Sequence, residues 1–250
     1  DKTAGENMDR SSLDLFGKQL DLVKTIWETG TPAIIVLVNG KPISEPWLEN
    51  NCPAIVEAWE PGNMGGQAVA EILFGEVNPS GKLPLTVARG VGQLRMIYNH
   101  KPSTYFHKYA DEKQTPLYPF GFGLSYAKFI YGDPVLSIAT LNSNQKISVS
   151  LEISNTGEFD GEEIAQLYIR DNVSSVTRPV KELKGYQRVF LKAGETKRIK
   201  FALNAESLAF YDINMDYCVE PGIFTIMTGS SSAKADLKTT TLTVNKKIEL

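Results

Sequence analysis

A change of hydrophobic period divides this chain of 250 residues. Up to Val87, apolar residues recur at helical spacing or in short unbroken runs; after about residue 127 they recur at every second position. A helix face needs a repeat near 3.6 and a strand with one wet face needs a repeat of 2. A chain that carries first one pattern and then the other specifies two architectures in succession.

In the first part Leu20, Val23 and Trp27 fall at i, i+3 and i+7, with Leu22 and Ile26 alongside, which describes one apolar helical face. Gly30 follows where a left-handed cap would close the helix. Ala33 to Val38 is a run of six apolar residues, rich in β-branched types and ended by Asn39-Gly40, which predicts a strand covered on both faces. Pro53 to Trp59 repeats that pattern, Gln67 to Phe74 predicts a second helix closed by Gly75, and Lys82 to Val87 predicts a third, weaker strand. Alternating strands and helices predict an α/β unit with a mostly parallel sheet.

In the second part Ile147, Val149, Leu151 and Ile153 alternate with Ser148, Ser150, Glu152 and Ser154, and Ile199, Phe201 and Leu203 alternate with Arg198, Lys200 and Ala202. Turn signals stand at Asn155-Thr156-Gly157, Ala193-Gly194 and Pro221-Gly222, a spacing suited to an antiparallel β-sandwich. The segment from Arg89 to Tyr126, rich in Pro, Tyr, Phe and Gly, is the expected connection, so the domains are expected at 1–126 and 127–250. At roughly 150 residues per domain the length allows both.

The balance of 26 Lys plus Arg against 29 Asp plus Glu leaves no excess of positive charge for a phosphate backbone, so nucleic acid is not an expected partner. No apolar run approaches the roughly 20 residues that cross a bilayer, so no membrane partner is expected either. Cys52 and Cys218 are too isolated for a disulfide framework or a cysteine zinc site. Neither histidine, His100 or His107, has partners at ligand spacing. Gly75 and Gly81-Lys82 resemble a phosphate loop, but the glycine spacing is wrong and Leu83 stands where Ser or Thr would hold magnesium; Asn78 to Gly81 reads instead as a turn. Asp212, Asn214 and Asp216 begin like a calcium loop, but Tyr217 and Ile223 occupy the positions that need Gly and Glu. There is no Gly-x-Ser-x-Gly elbow. No metal- or cofactor-binding pattern is therefore read from these segments.

Carboxylates remain. Glu6 lies in a polar, glycine-containing stretch upstream of the first helix, where a loop can present it to a cleft, and the alternative is an ordinary solvated acid. Glu60 follows the carboxyl end of a predicted strand, where open α/β sheets bind ligands; the alternative is a turn residue before Pro61. The chain opens Asp1-Lys2-Thr3 with no initiator Met and no apolar leader, so it reads as the continuation of something longer, without a targeting segment.

Five segments then carry a resemblance: Ala4-Gly5-Glu6-Asn7-Met8-Asp9-Arg10, Val38-Asn39-Gly40-Lys41-Pro42, Ala58-Trp59-Glu60-Pro61-Gly62 with Gly65-Gly66, Leu73-Phe74-Gly75 through Asn78-Pro79-Ser80-Gly81-Lys82-Leu83-Pro84, and Tyr118-Pro119-Phe120-Gly121-Phe122-Gly123-Leu124-Ser125-Tyr126. In order and spacing they resemble glycoside hydrolase family 3. Leu183-Lys184-Gly185-Tyr186 and Phe210-Tyr211-Asp212 are similar to that family's fibronectin type III-like domain.

The resemblance implies part of an α/β sandwich domain followed by a fibronectin type III-like β-sandwich. It implies a preceding (β/α)8 barrel that supplies the Asp nucleophile and most sugar-binding groups, on an earlier segment or a separate chain. Glu6, followed by Asp9-Arg10, matches the family's acid/base glutamate, and Glu60 is a weaker second candidate. The implied activity is that of a retaining exo-acting β-glucosidase on β-glucosides or oligosaccharides, with xylose as the alternative sugar, a periplasmic or secreted location, and a homodimer allowed. The rival reading is a non-catalytic module that scaffolds or binds carbohydrate. In that reading Tyr105, Phe106, Tyr109 and Tyr118 would stack on sugar rings, and otherwise they pack against the sandwich.

Overall fold

A computed structural model describes residues 10–102 and 108–250. The chain forms two compact units, one drawn from 1–77, 86–96 and 108–118, the other from 78–85, 97–107 and 119–250.

In the first unit the predicted alternation is present. Helix α1 spans Gln19–Glu28 and strand β1 Ile34–Leu37; helix α2, Pro46–Asn51, begins on a proline; strand β2 spans Ala54–Glu57 and helix α3 Gly65–Leu73. Proline suits the first helical turn because its missing N–H has no partner there. Gly30 and Gly75 follow α1 and α3 with φ of 74° and 77°, the left-handed caps expected of them. β1 and β2 pair in parallel. Helix α2 was not foreseen, since six residues with one buried apolar position, Leu48, show no period.

Two expectations fail. β1 is not covered on both faces among the described residues: Ile34 is 52% exposed and Val38 just beyond it 65%. The run Lys82 to Val87 forms no regular strand. Pro84 removes a ladder donor, and what remains is one antiparallel bridge, Val87 to Tyr118, and a Leu83 N–H donated to the Phe122 carbonyl at 2.8 Å.

The second unit is the sandwich. One sheet has strands β3 (Phe129–Tyr131), β4 (Val135–Leu136), β6 (Ile147–Asn155) and β9 (Thr196–Leu203), with β6 paired along its length to β9 and, at successive stretches, to β3 and β4. The other runs β5 (Thr140–Leu141), β13 (Leu237–Val244), β12 (Gly222–Gly229), β7 (Gly161–Asp171), β8 (Glu182–Leu191). A short helix, α4 (Ala205–Leu208), leads into a three-stranded sheet of β10 (Phe210–Tyr211), β11 (Tyr217–Val219) and β14 (Ile248–Glu249). The period-two residues do what the period requires: Ile147, Val149, Leu151 and Ile153 are all buried in the core with Ile199, Phe201 and Leu203 opposite. Each such side chain contributes about 1.5 to 3 kcal/mol by leaving water.

Buried polar groups close this unit. Asn155 donates its amide to the carbonyls of Phe159 (2.7 Å) and Leu191 (3.3 Å) and accepts from Gly157 N–H (3.0 Å), which makes the turn that the sequence signalled. The loop at 212–216 is likewise self-satisfied: Asp212 accepts from the N–H groups of Asn214 and Asp216, and Lys247 Nζ lies 2.9 and 3.0 Å from the two aspartates. A lysine occupies the place a cation would need.

Asp171, at the end of β7, is buried, and burial pushes its carboxyl up to about 6 against the pull of Arg178, whose Nη1 lies 3.7 Å from Oδ2. A raised native pKa means the folded state holds its proton more tightly than the unfolded state. The resulting stability is complete below the unfolded value and lost as pH rises through about 6. Wild type should therefore gain about 2 kcal/mol over an Asp171→Asn variant between pH 7 and pH 4, measured by urea unfolding at both.

Candidate functional site

Because β1 and β2 are parallel, with Leu37 beside Glu57, both chains leave the sheet at one edge, the edge at which open α/β sheets collect ligands. The ladder runs on past the strands. Ala58 N–H donates to the Leu37 carbonyl at 2.9 Å, and Asn39 N–H donates to the Trp59 carbonyl at 3.1 Å.

Trp59 has φ of 51°, the left-handed region that a bulky residue seldom enters, at a cost of about 1 to 3 kcal/mol. It is held there from both sides. Its N–H donates to Glu57 Oε1 at 3.1 Å, and its carbonyl takes the Asn39 N–H. In the orientation that satisfies both ends of the Asn39 amide, the side-chain nitrogen donates to Glu57 Oε1 (3.1 Å) and to the Lys41 carbonyl (3.2 Å). Glu57 is partly buried, and burial raises its pKa; the hydrogen bonds from Trp59 N–H and Asn39 hold the rise back.

Glu60, the second sequence candidate, is exposed at this edge with its carboxylate over Gly40. A Cβ at residue 40 would lie 2.8 Å from Glu60 Oε1, so only glycine leaves room for the carboxylate in that position. Glu6, the first candidate, lies outside the described residues, as do Tyr105, Phe106 and His107. Of the remaining aromatics, Tyr109 donates its hydroxyl to the Gly92 carbonyl (3.0 Å), and Tyr118 is partly buried with its backbone in the bridge to Val87.

The structure thus brings together Asn39, Glu57, Trp59 and Glu60, of which only Glu60 was singled out from sequence. Asn39 carried a signal as the turn residue after an apolar run, and Glu57 as the one charge inside the run 53–59. Nothing in a sequence flags a tryptophan with positive φ. Amide, carboxylates and indole together suit a polyhydroxylated ring, which offers hydroxyls to hydrogen-bond and an apolar face to stack on. Among the described residues no group of three or more His, Cys, Asp or Glu could hold a metal ion, and no helix is long and apolar enough to cross a membrane.

An α/β unit with a polar, aromatic edge is followed in this chain by an antiparallel β-sandwich. Residues 1–126 match the Glycosyl hydrolase family 3 C-terminal domain, and residues 163–232 match the Fibronectin type III-like domain. The chain belongs to glycoside hydrolase family 3, of which it is a C-terminal portion. It is 46% identical over 246 residues to a beta-xylosidase of Formosa agariphila, covering 97% of this chain and 34% of that protein. It is 40% identical over 241 residues to a periplasmic beta-glucosidase of Salmonella typhimurium, covering 92% and 32%. Among solved structures, a β-glucosidase from Erythrobacter marinus superposes with a TM-score of 0.91 at 43% identity, covering 95% of this chain and 31% of that one. A beta-glucosidase from Listeria innocua in complex with glucose gives 0.90 at 33%, covering 96% and 35%. The chain therefore spans about a third of the length of the relatives it matches.

Proposed function

We propose that the intact protein is a retaining exo-acting β-glycosidase that removes terminal β-D-glucosyl residues from oligosaccharides or glycosides. The observation that carries this reading is the match across nearly the whole chain to a β-glucosidase structure at 43% identity. A barrel aspartate attacks the anomeric carbon to form a glycosyl-enzyme; Glu6 first protonates the departing oxygen and then takes a proton from water. The two carboxyl groups stand about 5 to 5.5 Å apart across the bond. The α/β part, through residue 126, brings the acid/base group, and the residues from 127 form the β-sandwich.

A second reading keeps the reaction and changes the sugar to xylose, favoured by the 46% identity to a beta-xylosidase. The name of the Salmonella relative supports a periplasmic location.

With one of two carboxylates, the 250 residues alone should show no turnover of aryl β-glucosides or β-xylosides, and the intact protein should turn over one of them by several orders of magnitude above it. An intact protein inert on both, with an isolated chain that binds glycans, would replace this reading with the non-catalytic module.

A further inference from the structure

We propose that Trp59 is a specificity-determining residue of this glycosidase, stacking against the ring of the leaving group, and that Glu57 is its positioning residue. The proposal rests on the reading above. There, Glu6 delivers its proton to the oxygen between the sugar and its leaving group, so the unit that carries Glu6 borders the leaving-group side of the bond.

Three observations lead to Trp59. A glycine would adopt a φ of 51° freely, yet the position carries the largest side chain in the repertoire, and such strain collects at sites where a side chain must be aimed. Its backbone is fixed from two directions, by Glu57 on its N–H and by Asn39 on its carbonyl, so the indole is presented with little freedom to lose on binding. Finally, the indole has neither a hydrogen bond nor a ring contact among the described residues, although it is half-buried. The other two tryptophans of the chain behave differently, because Trp27 and Trp47 pack edge to face with centroids 5.8 Å apart. A partly buried indole usually gives its N–H to something and its face to something. A sugar ring of the leaving group supplies both, a hydroxyl oxygen and a face of C–H groups.

Glu57 does not touch the ligand in this scheme. Its carboxylate oxygen holds the Trp59 N–H and the Asn39 amide at once, so it sets the angle at which the indole leaves the edge.

The test uses the intact enzyme with two substrates of whichever sugar it accepts: a β-linked disaccharide, and the corresponding glycosyl fluoride, whose leaving group has no ring. Trp59→Gly removes the indole and relieves the strained φ, so it should fold with an unchanged thermal midpoint. It should lower kcat/KM on the disaccharide about 10- to 100-fold, and on the fluoride by less than about threefold. Trp59→Phe should keep most of the disaccharide activity. Glu57→Ala should reproduce the disaccharide loss, mainly through KM, and Glu57→Gln, which retains the acceptor oxygen, should restore it. Equal losses on both substrates, or an unaltered disaccharide rate in Trp59→Gly, would overturn the proposal while leaving the glycosidase reading intact. A parent enzyme inert on both substrates would overturn the two together.

Discussion

Glu6→Gln in the intact enzyme should lower kcat/KM on disaccharides by about a hundred- to ten-thousand-fold, the usual worth of a positioned proton donor. The size of the loss should depend on the leaving group. An alkoxide of high pKa cannot depart without a proton, whereas a dinitrophenolate can, so glycosylation by an activated aryl glycoside should be slowed far less. Water would then attack the glycosyl-enzyme without a base, and the intermediate should accumulate. Azide needs no base, and adding it should restore turnover with a glycosyl azide as product. The pH profile supplies an independent check. The acid must be protonated to act, so wild-type kcat/KM should fall as pH rises through its pKa. Glutamine has no such proton, and the alkaline limb should vanish. Equal and small losses on all leaving groups would remove Glu6 from the mechanism.

Why one part of the fold was legible and another was not comes down to what a period can encode. Strand β6 buries every second residue, and that pattern appears directly as Ile147, Val149, Leu151 and Ile153. β1 was legible as a strand but not in its surroundings. Six apolar residues state that both faces seek cover, yet the cover for Ile34 and Val38 is not among the described residues. Lys82 to Val87 misled because its apolar spacing says nothing of partners, and Pro84 together with the division of the run between two units leaves no ladder to join. The candidate site was legible at Glu60, through its place after a strand. Trp59 escaped notice because its significance lies in a backbone angle fixed by Glu57, at the end of β2, and Asn39, just beyond β1, which no local pattern couples.

The second large effect expected is one of stability, and it begins from the Gly81-Lys82 dipeptide that resembled a phosphate loop. Lys82 is committed elsewhere: its Nζ lies 3.1 Å from Glu163 Oε2 and donates to the Gly123 carbonyl at 3.0 Å, while Tyr131 donates its hydroxyl to Glu163 Oε1 at 2.7 Å. The side chains of Lys82 and Glu163 are only 11% and 3% exposed, so neither charge can turn to water if the other is removed. Lys82→Met should accordingly destabilise the sandwich unit by about 3 to 5 kcal/mol, because breaking a buried pair strands a charge. That corresponds to a thermal midpoint lower by about 10 °C. Neutralising the second partner tests the cause. In the Lys82→Met background, Glu163→Gln keeps an acceptor for Tyr131 and removes the unpaired charge, so the double variant should be more stable than Lys82→Met alone by about 2 kcal/mol. If the two substitutions simply add, the methionine acts through packing, and the ion pair is not what holds residues 78–85 to the sandwich.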